Sequence, residues 1–359
     1  MDLVTGFPGF IATRLVARIL RDPTARVGAI VLPDQLAQAR ARAERLGAGH
    51  RLELIAGDIT SAGVIADAST RARAQASARR VFHLAALYDL AAPPTPSWRV
   101  NVLGTTHVLD LAAGCPGLTR FVHTSTCYVT GAREGVIRED ELVPARVFRN
   151  HYEHTKHESE RLVRERMGVM PATILRPAIV VGDSVTGATA KYDGPYFAMA
   201  AFARLEAAGL LRLAALAPDL GRGRTPLNLV PVDFVVAAAH HLAQDPRAVG
   251  GTFHLADPAP ASSRAVMTMI RAAFGLGPPR WHLPAALARR LLALPLVERL
   301  VGLPRQLADY ADLDQRFDTT RATALLAPAG IACPRPSDYL PRLVELVRRH
   351  PHAPPGDDV

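Results

Sequence analysis

The first 125 residues alternate short apolar runs with helical patterns, and nothing else in the chain constrains its fold as strongly. Leu3-Val4-Thr5 reads as the end of a strand, residues 10–20 as a helix and 27–32 as a second strand. Leu52–Ala56, residues 80–84 and Arg120–Thr124 fit further strands, again with helical stretches between them. Such alternation implies right-handed crossovers and a doubly wound parallel sheet of the α/β class, buried on both faces by helices. Past residue 183 the pattern loosens. Residues 196–216 read as helix, 227–232 and Thr252–Leu255 as strands returning to the main sheet, and 257–349 as mostly helical. The expected organisation is a sheet domain over 1–182, rejoined by 227–256, with a smaller substrate region from 183–226 and 257–349. Residues 350–359 read as a disordered tail.

Composition removes several classes of function. Half-hydrophobic content (49%) supports a sizeable core. Charged residues interrupt every apolar stretch before it reaches membrane-spanning length. A glycine turn within six residues of the start leaves no room for a secretory signal. Cys115, Cys127 and Cys333 have neither metal-ligand nor redox spacing, as expected of a reduced, cytoplasmic protein. The net charge of +9 comes from arginines dispersed along the chain, which reads as a solvated basic surface and not a nucleic-acid site. Thirteen histidines include the pairs His154/His157 and His240/His241, but no ligand set forms, so no metal is expected. Residues 281–307 are leucine-rich with interspersed arginine. They fit a lid over a lipophilic site, a segment lying on a membrane surface, or a core-facing helical pair.

The first strand-to-helix turn reads Thr5-Gly6-Phe7-Pro8-Gly9-Phe10-Ile11-Ala12. Glycine there permits a tight turn and close approach of backbone to a pyrophosphate, and the helix start supplies free N–H groups and a positive dipole end. That is the arrangement of a Rossmann-type dinucleotide site. Ala12 replaces the usual third glycine and is small enough for close helix–strand packing. Two further segments fit a dinucleotide lying across the strand ends: Asp58-Ile59, whose carboxylate suits an adenine amino group, and Leu84-Ala85-Ala86, whose small residues let the cofactor pass.

Tyr152 and Lys156 lie at i and i+4 near the start of a strongly helical segment that runs to about Met167. A phenol has a pKa of about 10 and exchanges protons poorly at neutral pH. A neighbouring ammonium is expected to lower that value and can also hold ribose hydroxyls. Lysine occurs only at Lys156 and Lys191 in a chain whose other basic side chains are arginine, so Lys156 stands out. Thr124-Ser125-Thr126 follows the strand Arg120–Thr124 and supplies hydroxyls that would orient a carbonyl oxygen toward Tyr152.

Taken together, Val4 to Ile11, Val81 to Asp89, Phe121 to Gly131, Arg176 to Ser184, Asp193 to Tyr196 and Asn228 to Val235 resemble the extended short-chain dehydrogenase/reductases over nearly the whole chain. Within that superfamily the chain looks most like the male-sterility branch, with its fatty acyl-CoA reductases and thioester reductase domains. The resemblance implies a triad of Thr126, Tyr152 and Lys156, with Thr124 and Ser125 as rivals for the hydroxyl role. It places Asn101, through its helix, in support of the active site and its cofactor, and Pro177 against the nicotinamide. Tyr88, Cys127 and Tyr192 are candidate substrate contacts. Dehydratases of this fold carry an acidic residue where this chain has Cys127, which counts against dehydration. NADP(H) is favoured as cofactor, with NAD(H) open, because Leu32 stands where an arginine for the 2′-phosphate is expected; Arg14, Arg40 and Arg42 are its possible substitutes. The implied substrate is a lipophilic carbonyl compound or an acyl thioester arriving on CoA or a carrier protein, and a homodimer is possible. A sugar-nucleotide epimerase, a hydroxysteroid-type dehydrogenase and a non-catalytic cofactor-binding scaffold are the alternatives.

Overall fold

The computed structural model of the chain describes residues 1–143, 146–294 and 310–355. Seven parallel strands form the central sheet: β1 (Asp2–Thr5), β2 (Val27–Val31), β3 (Leu52–Ala56), β4 (Arg80–His83), β5 (Arg120–Thr124), β7 (Ala172–Pro177) and β11 (Thr252–Leu255). Their spatial order is β3-β2-β1-β4-β5-β7-β11. The chain winds outward one way from β1 and then the other way from β4, so a crevice opens where these neighbours end. Thr5, His83 and His123 lie in register across β1, β4 and β5 at that point. In open α/β sheets ligands bind at such a switch point, beyond the carboxyl ends of the strands.

Every residue of β1, β2 and β7 is buried, as a sheet covered on both faces requires. The helix Phe10–Ile19 buries Ala12, Leu15, Val16 and Ile19 and packs against the helix Val232–Leu242. Fully burying an aliphatic side chain of this size contributes about 2 kcal/mol. The first helix is therefore pinned with its start facing the end of β1. The expected sheet class is the one found, and strand boundaries agree within a residue or so.

Two expectations on the far side of the chain are corrected. Residues 196–216 do not form one helix. The helix Tyr196–Ala207 ends at Ala208, and Gly209 takes φ +71, the left-handed conformation that lets the chain turn back on the last carbonyls. A short helix, Leu211–Ala214, follows. Only Thr252–Leu255 rejoins the main sheet, at its edge beside β7. The strand predicted over 227–232 is β10 (Leu229–Pro231), which pairs instead with β8 (Ile179–Val181). The cause lies at Pro177, where β7 ends: Ala178 N–H still bonds Leu255 across the sheet, but Ile179 N–H bonds Asn228. The chain thus leaves the sheet and carries β10 with it.

Two further short parallel ladders lie outside the sheet. They join β6 (Gly135–Ile137) to β13 (Gln315–Phe317) and β9 (Asp219–Leu220) to β12 (His282–Leu283). Of the leucine-rich segment over 281–307, the first part forms β12 and the helix Ala285–Leu292, while 295–307 lies outside the described residues. The C-terminal helix Pro336–Arg349 packs on the helices Tyr196–Ala207 and Ser263–Ala273. Residues 356–359 of the expected tail also fall outside the description. No described helix is long and apolar enough to cross a membrane.

Candidate active site

The glycine turn follows directly from the end of β1. Gly6 takes φ +94, and a Cβ there would sit 2.9 Å from the Ala85 backbone nitrogen. Gly9 donates its N–H to the Gly6 carbonyl at 2.7 Å, and a Cβ on Gly9 would lie 2.7 Å from that oxygen. Both positions therefore demand glycine. No side chain caps the helix that begins at Phe10, so the N–H groups of its first turn remain for an anion. Phe7 is buried in the core and can offer a ligand only its backbone. Ala12 is buried as well, consistent with its expected packing role. A cradle that a single methyl group would fill suits a pyrophosphate lying against Gly6 to Ile11.

The neighbouring loops are shaped by their own bonds. Asp58 accepts from the Thr60 N–H at 2.8 Å and the Thr60 hydroxyl at 2.9 Å. Ile59 presses against Gly104, where a Cβ would lie 2.8 Å from its Cδ1. Leu84 and Ala85 are half-buried and Ala86 is exposed along the crevice. Leu32 is exposed at the end of β2; Arg14 places its guanidinium 4.1 Å over the Phe10 ring, and Arg42 is buried on the next helix.

Tyr152 is the second residue of the helix His151–Arg166, and the helix start is firmly held. Asn150 caps it by accepting from the Glu153 N–H at 2.9 Å, while Glu153 accepts in return from the Arg149 N–H at 3.1 Å. Tyr310 donates to Glu153 at 2.7 Å and accepts from Asn150 at 2.8 Å. The Tyr152 ring meets Tyr88 edge-on at 5.0 Å, and the Lys191 ammonium lies 4.0 Å over Tyr88.

Lys156 is buried and donates to the Thr124 carbonyl at 2.7 Å. Burial pushes its ammonium down to about 8, against the pull of the Glu160 carboxylate. The expected lowering of Tyr152 is not found. Burial pushes that phenol well above its ordinary value, and Tyr88 and Glu153 add to the rise. Tyr152 is thus kept protonated, the state of a proton donor.

The three hydroxyls after β5 have separate duties. Thr124 gives its carbonyl to Lys156. Ser125 donates its hydroxyl at 2.6 Å to buried Glu160 and is committed there. Thr126 has only long contacts, donating to the Pro177 carbonyl at 3.5 Å and accepting from the Tyr128 N–H at 3.3 Å. Of the Ser125 and Thr126 hydroxyls, that of Thr126 is the more loosely held. Cys127 is corrected as a substrate contact: it is wholly buried and its thiol donates to the Arg176 carbonyl at 2.9 Å. Tyr192 donates to the His350 carbonyl at 2.8 Å and stacks on Tyr196, so its hydroxyl braces the end of the C-terminal helix.

Sequence reasoning missed the groups beneath these residues. Glu160, one turn beyond Lys156, is fully buried and accepts from Arg176 at 2.6 and 2.9 Å and from Arg164 at 2.9 Å. Burial alone would raise its carboxyl, but the Arg176 charge more than offsets this and, with Arg164 and Ser125, holds it at about 2. Its i+4 spacing from Lys156 was the available signal. Asn101, expected to support the active site through its helix, is buried in a π-helical turn, Arg99–Leu103, and bonds Leu87 and Thr155. No cluster suited to a metal ion occurs among the described residues.

With this geometry in view, comparison with known proteins is decisive at family level. An NAD-binding family model described as male sterility protein matches residues 4–239. The chain belongs to that family. The terminal R domain from the myxalamid PKS-NRPS biosynthetic pathway superposes with a TM-score of 0.81 at 25% identity, covering 98% of this chain and 92% of that one. A subunit of the linear gramicidin synthase of Brevibacillus parabrevis is 27% identical over 71% of this chain and 5% of its own length. An aldehyde reductase of Aspergillus flavus is 29% identical over 50% of this chain and 18% of its own length. This chain thus matches one part of much longer proteins. It is an NAD-binding, reductase-like chain of the extended short-chain dehydrogenase/reductase type.

Two substitutions probe this site. Gly6→Ala forces a side chain into the left-handed region, at roughly 1–2 kcal/mol, and against Ala85; fluorescence titration with NADPH should show affinity lowered about tenfold or more. Glu160→Gln leaves Arg176 without its full counter-charge inside the protein. Urea unfolding should report a loss of about 3–5 kcal/mol.

Proposed function

We propose that the chain reduces a lipophilic carbonyl compound or acyl thioester, with Tyr152 donating the proton. The observation that carries this reading is the placement of Tyr152 and Lys156 on one helix beside Thr126, at the strand ends that also form the glycine turn. The dihydronicotinamide, when bound, supplies the hydride. Gly6 to Ile11 would hold its pyrophosphate, Lys156 its ribose, and Pro177 would back the ring. Thr126 orients the substrate oxygen, and Tyr152 is kept protonated by burial until that oxygen gains negative charge. The ammonium of Lys156 then stabilises the phenolate left behind.

NADPH is the favoured cofactor of this reading, with the 2′-phosphate approached from the side of Arg14 and Arg42. Likeness to an R domain of a PKS-NRPS pathway and to a gramicidin synthase supports an acyl thioester as substrate, on CoA or on a carrier protein. Residues 1–182 with β11 form the cofactor part and the rest the substrate part.

Purified protein should oxidise NADPH faster than NADH when offered acyl-CoAs, aldehydes or ketones, read as loss of cofactor absorbance. Failure with every acyl thioester would remove that substrate class. Tyr152→Phe should lower kcat by about 10²–10⁴, and unchanged turnover would end the proton-donor role. Because Lys156 titrates at about 8, its ammonium is present below that pH and lost above it. The pH profile of kcat/KM should accordingly fall on the alkaline side from near pH 8, by about tenfold per pH unit.

A further inference from the structure

Beneath the candidate site runs a row of buried polar side chains that the chemistry above does not use. Thr5, His83, Asn101, Thr105 and Thr155 are each at most 2% exposed, and they come from two adjacent strands and two helices. Starting at the cofactor crevice, the Ala85 N–H donates to the Thr5 hydroxyl at 3.2 Å. Thr5 Oγ1 lies 2.8 Å from His83 Nδ1, and His83 Nε2 lies 3.0 Å from Thr105 Oγ1. Thr105 donates to the Asn101 carbonyl at 2.7 Å. The Asn101 amide donates to Thr155 Oγ1 at 2.9 Å, and Thr155 donates to the Tyr152 carbonyl at 3.1 Å.

Proton counting orders this row. A threonine hydroxyl has one proton. Thr105 spends its proton on Asn101, so it must accept from His83 Nε2–H. His83 Nδ1 is then an acceptor and takes the Thr5 proton, leaving Thr5 free to accept from Ala85. The opposite tautomer would leave the Thr5 proton without an acceptor among the described contacts. Asn101 is oriented independently, because its Oδ1 accepts the Leu87 N–H at 2.7 Å. Burial, with help from the Lys156 charge, pushes His83 down to about 3, so the neutral ring this order needs persists at working pH.

We propose that His83 is a positioning residue, joining the glycine turn to the backbone of Tyr152 through Thr5, Thr105, Asn101 and Thr155. The turn and the row meet at Ala85, whose nitrogen lies 2.9 Å from where a Cβ of Gly6 would be. Fixing the turn with a dinucleotide fixes Ala85, and breaking any later bond strands a buried donor or acceptor. Cofactor binding therefore stiffens the first turn of the helix His151–Arg166 without touching it there. This inference rests on the cofactor and Tyr152 roles proposed above, and its test separates it from them.

Amide hydrogen exchange on the full chain, with and without saturating NADPH or NADH, reads the coupling directly. In the unmodified protein the cofactor should slow exchange both at residues 6–15 and in the first helical turn, residues 151–154, which lies before the ribose-holding Lys156. Thr105→Val, of nearly the same shape, should keep the first effect and lose the second, while Thr105→Ser restores it. Thr155→Val cuts the row at its other end and should behave like Thr105→Val; it serves if the latter does not fold. Unaltered coupling in the valine variants, or loss in Thr105→Ser as well, overturns the role of the row. Absence of slowing at 151–154 in the unmodified protein overturns it too. If neither cofactor protects residues 6–15, the cofactor reading itself has failed, and the inference falls with it.

Discussion

The buried ion pair of Glu160 and Arg176 is the interaction on which the geometry of the site depends. Both side chains are fully buried, and either charge alone in that setting would be strongly destabilising. Their pairing ties the helix bearing Tyr152 and Lys156 to β7, and through the Ser125 hydroxyl to the end of β5. Arg176 also donates to the Glu141 carbonyl at 2.7 Å, drawing in the loop that leads toward that helix. Thr126 and Pro177, which meet across the site, each follow directly after one of these anchored residues. One salt bridge thus helps to position both the candidate hydroxyl and Pro177.

Burial does a second kind of work by setting protonation. Tyr152 and Lys156 sit close together, yet the low-dielectric surroundings act oppositely on them, holding the phenol neutral and making the ammonium easier to lose. Two buried histidines, His83 and His123, are likewise kept neutral by burial and by the Lys156 charge. Lys156 is therefore the charge to which this part of the interior responds. A neutral His83 can both donate and accept, which a charged ring cannot. The same burial that limits Lys156 makes the row beneath it possible.

Much of this was legible in the residues. Short apolar runs separated by helical stretches admit few solutions other than a parallel sheet, and Gly6 and Gly9 mark a turn where the backbone cannot tolerate a Cβ. The i, i+4 relation of Tyr152 and Lys156 follows from helix periodicity, and the rarity of lysine drew attention to it. The errors arose where distant segments compete. Residues 227–232 have the pattern of a strand, but pattern does not name a partner, and the turn after Pro177 sends β10 to β8. Cys127 adjoins Thr126 in sequence, yet both are buried and the Cys127 thiol is spent on the Arg176 carbonyl.

Sequence alone determined the class of sheet, the location of the glycine cradle and the helical pairing of a phenol with an ammonium, because each rests on local periodicity or on the conformational reach of a single residue. Tertiary structure alone decided that the Ser125 hydroxyl is spent on Glu160 while Thr126 keeps only long contacts, that burial raises the Tyr152 phenol where a lowering was expected, and that Asn101 and His83 belong to a buried row. Those outcomes depend on desolvation and on hydrogen bonds between residues as many as 80 positions apart. Such contacts exist only once the sheet has brought its strand ends together.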